Sequence, residues 1–265
     1  MAEDKKNILE RIVERTRATV QLRKGLMPPA VLERYPFFNR QPLGISDRLK
    51  AGMGNGIIAE FKRQSPSKGV INAAADPVEV ATAYAHYGAS AISVLTDEPF
   101  FGGSMDDLMR VREAVDIPVL RKDFIIDEYQ VLEAKAIGAD LVLLIAACLS
   151  ATEVKQLAAF ARNLGLEVLL ELHDSEELGH ICEEVNLVGI NNRSLKTFDV
   201  DLQRSLDMAA RVPGSFLKVA ESGIQNIEQV RLFQSHGFSA FLMGEHFMKE
   251  ADPGEAFRRF ASQLY

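Results

Sequence analysis

The sequence is poor in the features that mark several protein classes. Cysteine occurs twice in 265 residues, at Cys148 and Cys182. Two thiols so far apart give neither a disulfide framework nor a zinc spacing, and a reducing, cytoplasmic compartment fits. Long apolar runs are missing: the longest, ADLVLLIAACL, is too short to span a bilayer. The opening stretch MAEDKKNILERIVERTR is charged and has no apolar core of the signal-peptide kind. A basic excess is also missing. The formal net charge is −7 with no basic stripe, which argues against nucleic-acid and polyanion binding, although a few local cations can still hold a small anion. The five histidines, at 86, 173, 180, 236 and 246, make no metal-ligand spacing. His173, near a strand end, reads as a solvated or hydrogen-bonded loop histidine.

What remains is the balance of an ordinary globular protein, 47% hydrophobic and 25% charged, and not that of a disordered chain. Ile8, Leu9, Ile12 and Val13 recur at helical spacing between charged residues. The two prolines of LMPPA end that helix. A short helix over 45–50 follows, with Ser46 as a cap candidate. From Ile57 onward one pattern repeats: a short apolar run, a polar loop, then an amphipathic segment. The runs lie at 57–61, 91–95, 118–120, 141–145, 167–170, 187–190, 217–220 and 240–243, and the helical segments at 77–87, 105–115, 127–137, 151–164, 175–184, 201–211, 225–236 and 253–263. Asp76-Pro77 and Asp252-Pro253 place a cap before a proline at the first helical position, and Ser150 with Glu153 has capping-box spacing.

Continuous apolar runs are what strands buried on both faces look like. Eight strand–helix units closed on themselves predict a (β/α)8 TIM barrel, as one α/β domain over 1–265 with residues 1–52 as an N-terminal helical extension. The rival, an open doubly wound sheet, normally carries a glycine-rich phosphate loop after its first strand. Here that position holds EFKRQSPSKG.

In such a barrel the reacting groups sit after the C-terminal ends of the strands. Read in order, those positions hold Glu60 and Lys62; Phe101 with GGS; Lys122, Asp123 and Phe124; Glu171; Asn191, Asn192 and Arg193; Glu221, Ser222 and Gly223; and Gly244 with Glu245. A single polar residue after a strand is usually entering water, and charged side chains are seldom buried without a partner. The recurrence of acids and lysines at apolar strand tips is the signal. Strand alternation puts Glu60 and Lys62 on one face, pointing inward with Ile58, and Phe61 on the other, against the helices. The loops after strands seven and eight often hold phosphate in this fold, and AESGI and LMGE supply glycines there. The loop 62–69 reads as a lid.

The stretches IIAEFKRQSPSKG, LTDEPFFGGS, VLRKDFIID, LLELHD, VGINNRSLKTF, VAESGI and FLMGE, in this order, look like those of the indole-3-glycerol phosphate synthase family of tryptophan biosynthesis. ILERIVERTR is similar to that family's helices before the barrel. The resemblance covers essentially the whole chain and implies a monofunctional lyase. The implied reaction turns 1-(2-carboxyphenylamino)-1-deoxyribulose 5-phosphate into indole-3-glycerol phosphate with loss of carbon dioxide and water, without a metal or organic cofactor. By the same resemblance Lys122 is the general acid and Glu171 the catalytic carboxylate. Glu60 and Lys62 orient substrate and assist dehydration, Asn191 orients substrate and stabilises the intermediate, and Glu221 is a further site carboxylate. Arg193 matches a residue near the anthranilate carboxylate, where a guanidinium fork suits the geometry. Ser65 matches a substrate contact, Ser222, Gly223 and Gly244 a phosphate cradle, and Phe101, Phe124 and Leu242 the apolar pocket.

Glu245 departs from the family's pattern, since some members carry serine there. A carboxylate aimed at a phosphate is repelled, so its side chain is expected to turn outward while its backbone N–H serves the anion. Two other readings keep the barrel: an aldolase using Lys122 as a Schiff-base lysine, and a non-catalytic barrel that binds a phosphorylated ligand. The expected partner is a small phosphorylated substrate, not nucleic acid or a membrane. The charged face of the first helix favours a monomer, and association with other enzymes of the pathway is left open.

Overall fold

The apolar runs form parallel strands that close into a barrel. In the computed structural model, which describes residues 7–194 and 199–264, the barrel strands are β1 (Ile57–Phe61), β2 (Ala91–Leu95), β3 (Val119–Lys122), β4 (Leu141–Ile145), β5 (Glu167–Leu172), β6 (Leu187–Asn191), β7 (Leu217–Glu221) and β8 (Phe238–Met243). Each pairs in parallel with its sequence neighbour, and β1 with β8 closes the ring. The first six residues of the expected extension, the last four of VGINNRSLKTF and residue 265 lie outside the described residues. Among the described residues no helix is long and apolar enough to cross a membrane.

Local chemistry places the helices. Asp76 accepts from Val78 and Glu79 N–H to start α4 (Pro77–His86), and Asp252 caps α12 (Pro253–Ala261) in the same way. Ser150 and Glu153 form the capping box of α8 (Ala151–Asn163). Two expectations need correction. Residues 175–184 do not make an α-helix: only Ser175–His180 coils, as a 3₁₀ helix, under the Asp174–Glu177 capping box. Ser46 does not cap α3 (Ile45–Lys50) either. Glu167 at the start of β5 caps it from across the barrel base, accepting from Ile45 N–H at 2.9 Å and Ser46 N–H at 3.0 Å.

Strand alternation sorts side chains into two layers. Ile58, Leu120, Leu143, Leu169, Val219 and Leu242 fill the barrel interior, while Ile57, Ala59 and Phe61 face the helices. On β3 the outward residue is Arg121, fully buried. It donates to Thr96 Oγ1, Gln130 O, Asp123 and Glu133. Every bond to that guanidinium fixes the tip of β3, and so the inward-facing Lys122 beside it.

The helix α1 (Ile8–Leu26) opens with a capping box between Asn7 and Glu10. Ile12 and Val20 are buried, Lys24 pairs with Asp127 at 2.7 Å, and Tyr129 Oη donates to Met27 O at 2.8 Å. A second anchor lies at the barrel base. Asp140, at 0% exposure, accepts from Arg112 at 2.6 Å, Arg40 at 2.5 Å, Leu43 N–H at 2.7 Å and Val119 N–H at 2.8 Å. Removing one partner of a buried pair strands the other charge, at a cost of about 3–5 kcal/mol. Asp140→Ala is therefore expected to lower the urea midpoint by that equivalent while the folded fraction keeps its turnover. An unchanged midpoint would refute this account of the base.

Candidate active site

The barrel register brings the strand tips into one layer. Glu171 pairs with Ile145 on one side and Gly189 on the other. Asn191 pairs with Glu221, which also pairs with Leu242. Lys122 pairs with Leu95, and Glu60 with Ser93. Each candidate position from the sequence, Glu60, Lys62, Ser65, Phe101, Lys122, Phe124, Glu171, Asn191, Arg193, Glu221, Ser222, Gly223, Leu242 and Gly244, lines one cavity of about 580 Å³ at this end of the barrel.

Lys122 is the hub. Its Nζ lies 2.9 Å from Glu171 Oε2 and 3.6 Å from Glu221 Oε2. Burial opposes its charge, but the carboxylates of Glu171, Glu221 and Glu60 outweigh burial and raise its pKa. Glu171 moves the other way. Burial disfavours its charge, yet the Lys122 ammonium and a contact from His173 hold its pKa well below the ordinary value. Glu221 is pushed well up, first by burial and then by the charge on Glu171. As a carboxylate neither of its oxygens has a hydrogen-bond donor; as a neutral carboxyl it can donate to Glu171. Two acids beside one ammonium are thus pushed apart, Glu171 toward the ionised form and Glu221 toward the neutral one.

At the end of β1, Glu60 Oε1 pairs at 2.7 Å with Nζ of Lys62, the first residue beyond the strand. The chain then turns through a short ladder of Gln64–Ser65 with Gly69–Val70. Arg63 Nη1 and Nη2 both donate to the Asp107 carboxylate on α6 (Met105–Ala114), pinning the base of this loop. Phe101 closes the short helix α5 (Glu98–Phe101), which Asp97 caps. Its ring centroid lies 5.9 Å from that of Phe124, so the two rings pack on each other as one aromatic patch of the cavity wall.

The opposite side of the mouth suits anions. Ser222 and Gly223 both have left-handed backbone, at φ 64° and 72°. Left-handed serine is uncommon. Asn192, fully buried, holds it there by donating to Ser222 O at 2.7 Å. Glu245 does not turn away as expected. Its carboxylate lies 3.7 Å from Lys68 Nζ and 3.7 Å from Arg193 Nη2, joining the first loop to the sixth. Two cations within reach offset the repulsion that argued for an outward position.

Sequence reasoning missed several contributors. Gly189 is one: a Cβ there would collide with Glu221 Oε1, so the carboxyl occupies the space a side chain would take. A glycine inside an apolar strand, in VGIN, was the available signal. Ile8, Leu9 and Ile12 of α1 also line the cavity, as part of its apolar wall. His173 is not solvated; of the two expected readings the partnered one is nearer. It is 3% exposed, with Nε2 3.0 Å from Glu171 Oε1. Among the described residues no group of three or more His, Cys, Asp or Glu side chains has the arrangement of a metal site.

A closed parallel barrel that gathers ammonium and carboxylate groups at its C-terminal mouth has the architecture of a (β/α)8 enzyme. The family model described as Indole-3-glycerol phosphate synthase matches residues 9–260, and the chain belongs to that family. The protein of that name from Bacteroides thetaiotaomicron is 47% identical over 260 residues, covering 98% of this chain and 99% of its own length. The one from Campylobacter jejuni subsp. doylei is 44% identical over 256 residues, 95% of this chain and 98% of its own. Among solved structures, 3-hexulose-6-phosphate synthase from Salmonella typhimurium aligns with a TM-score of 0.62 at 14% identity, over 79% of this chain and 98% of its own. Tryptophan synthase subunit alpha from Legionella pneumophila aligns at 0.60 and 15%, over 83% and 95%. At those identities the two structures speak for the barrel fold alone.

Proposed function

We propose that this chain closes 1-(2-carboxyphenylamino)-1-deoxyribulose 5-phosphate to indole-3-glycerol phosphate, with Lys122 as general acid and Glu171 as proton acceptor. The carrying observation is the Lys122–Glu171 contact of 2.9 Å inside a cavity whose rim holds separate cationic and backbone anion sites. The ring carbon bearing the carboxylate attacks the ketone carbon, and the ketone oxygen takes a proton from Lys122. Carbon dioxide then leaves with its bonding pair returned to the ring. In the last step the hydroxyl leaves as water with a proton from Lys62, and the neighbouring carbon gives its hydrogen to Glu171. Two protons are donated and one is recovered, so each turnover draws one proton from solvent.

The remaining residues position the substrate. Arg193 takes the anthranilate carboxylate, and Ser222, Gly223 and Gly244 offer the phosphate backbone N–H groups. Phe101, Phe124 and Leu242 hold the ring, Ser65 contacts the substrate from the first loop, and Asn191 and Glu60 orient the reacting carbons. A Schiff-base lysine needs a neutral amine, whereas the carboxylates around Lys122 favour its ammonium form. The test is conversion of the carboxyphenylamino substrate followed by indole emission. The chain contains no tryptophan, so product fluorescence rises from a background of tyrosine only. No indole signal from the folded protein would defeat the proposal.

A further inference from the structure

The two oxygens of Glu171 are held differently. Oε2 faces Lys122 at 2.9 Å. Oε1 accepts from Asn191 Nδ2 at 3.1 Å and lies 3.0 Å from His173 Nε2. One oxygen faces the acid that the proposed chemistry uses, and the other is tied to the barrel wall.

His173 is built into this place. It follows β5 directly and lies two residues beyond Glu171, so both side chains turn inward. Its backbone N–H donates to Glu177 Oε2 at 2.6 Å, and the Asp174–Glu177 capping box fixes the turn that follows. The ring lines the cavity, yet Nε2 approaches Glu171 off the direction of a good hydrogen bond, and Nδ1 has no partner. A buried imidazole whose one near polar partner is a carboxylate oxygen at 3.0 Å calls for an explanation, because such groups are usually fully satisfied.

We infer that His173 is a positioning residue: with Asn191 it anchors Glu171 Oε1, so that Oε2 alone is presented to Lys122 and to the hydrogen leaving the substrate. The inference rests on Glu171 being the proton acceptor proposed above. A nitrogen donor at Oε1 also favours the ionised acid, and His173 is among the groups that lower the Glu171 pKa. The other titratable groups around this pair are Lys122 on β3, Glu221 on β7, Glu60 and Lys62 at the end of β1, Glu177 in the turn, and Cys148 after β4. Burial pushes the Cys148 thiol up to about 12, so it stays neutral through the working range.

The experiment compares wild type with H173L, H173Q and E171Q on the carboxyphenylamino substrate, measuring kcat, KM and the pH profile of kcat. Losing one hydrogen bond to a charged group corresponds to about 10–100-fold. H173L should therefore lose that much in kcat, with KM within about 3-fold, and its acid limb should move to higher pH because Glu171 protonates more easily. H173Q, whose amide nitrogen can reach the same oxygen, should recover most of the loss and restore the limb. Wild-type kcat in H173L overturns the inference, and so does an unmoved acid limb. If H173L does not fold, H173Q alone decides: a loss as large as 10-fold with an intact fold overturns it. E171Q separates the two readings. An active E171Q removes the acceptor and this inference together, whereas an inactive E171Q beside a fully active H173L removes only the role of His173.

Discussion

Lys122→Ala is expected to lower turnover by about 10²–10⁴-fold, the range for removal of a general acid. The effect belongs in kcat. The ammonium supplies charge and a proton to an oxygen that becomes anionic only as the new bond forms, so its loss falls on the transition state. The anion contacts proposed at Arg193, Ser222 and Gly223 lie on other strand ends, and KM should stay within a few-fold. The substitution also frees Glu171 from the ammonium that counters its burial. Glu171 and Glu221 then share one buried space with no cation between them, so Glu171 becomes a weaker acid. Residual activity should accordingly show an acid limb displaced toward neutral pH. The product assay across a pH series checks both effects, and wild-type turnover in the variant would remove Lys122 from the chemistry.

Glu171→Gln is expected to cost a similar factor by a different route. The amide keeps the shape and the Asn191 neighbour, but it accepts no proton from carbon. It also deletes the first of the carboxylates that hold Lys122 as an ammonium against burial, so the pKa of Lys122 falls. The two residues act as a unit, and units are strongly non-additive. The double variant Lys122→Ala/Glu171→Gln should therefore be little worse than either single variant. Multiplying losses would show that neither residue depends on the other for its position or protonation, and would break the coupling argued from their 2.9 Å contact.

The barrel was legible because its strands are buried on both faces and its helices announce their starts. The runs 57–61, 91–95 and 141–145 coincide with β1, β2 and β4, and Asp76, Ser150 and Asp252 cap as their spacing implied. Where strands ended in charge, the apolar pattern stopped early: β3, β5, β6 and β7 run on through Lys122, Leu172, Asn191 and Glu221. Among the extra residues Lys122, Glu171, Asn191 and Glu221 line the cavity, so the polar tips carried information about function that hydrophobic periodicity could not.

The rest depended on neighbours that only closure creates. His173 matters through Glu171 and the buried cavity, and nothing in ELHD distinguishes that from a histidine entering water. Gly189 matters because Glu221, thirty-two positions later, needs its empty volume. Glu245 was judged against an anion alone, because Lys68 and Arg193 reach it only across the mouth. The segment 175–184 looked helical from its polar pattern, but Glu177 folds back onto Asp174 N–H and the coil ends at His180.

The carboxylate spanning Lys68 and Arg193 makes the entrance an ion exchanger rather than a bare positive trap. As proposed, a guest that sets its carboxylate on Arg193 displaces Glu245 as it settles, so part of the attraction it gains is offset by the pairing it breaks. Capture should consequently depend less steeply on ionic strength than the number of nearby cations suggests. Once the guest's carboxylate has left as carbon dioxide, as proposed, the protein has its own anion at hand to reoccupy Arg193.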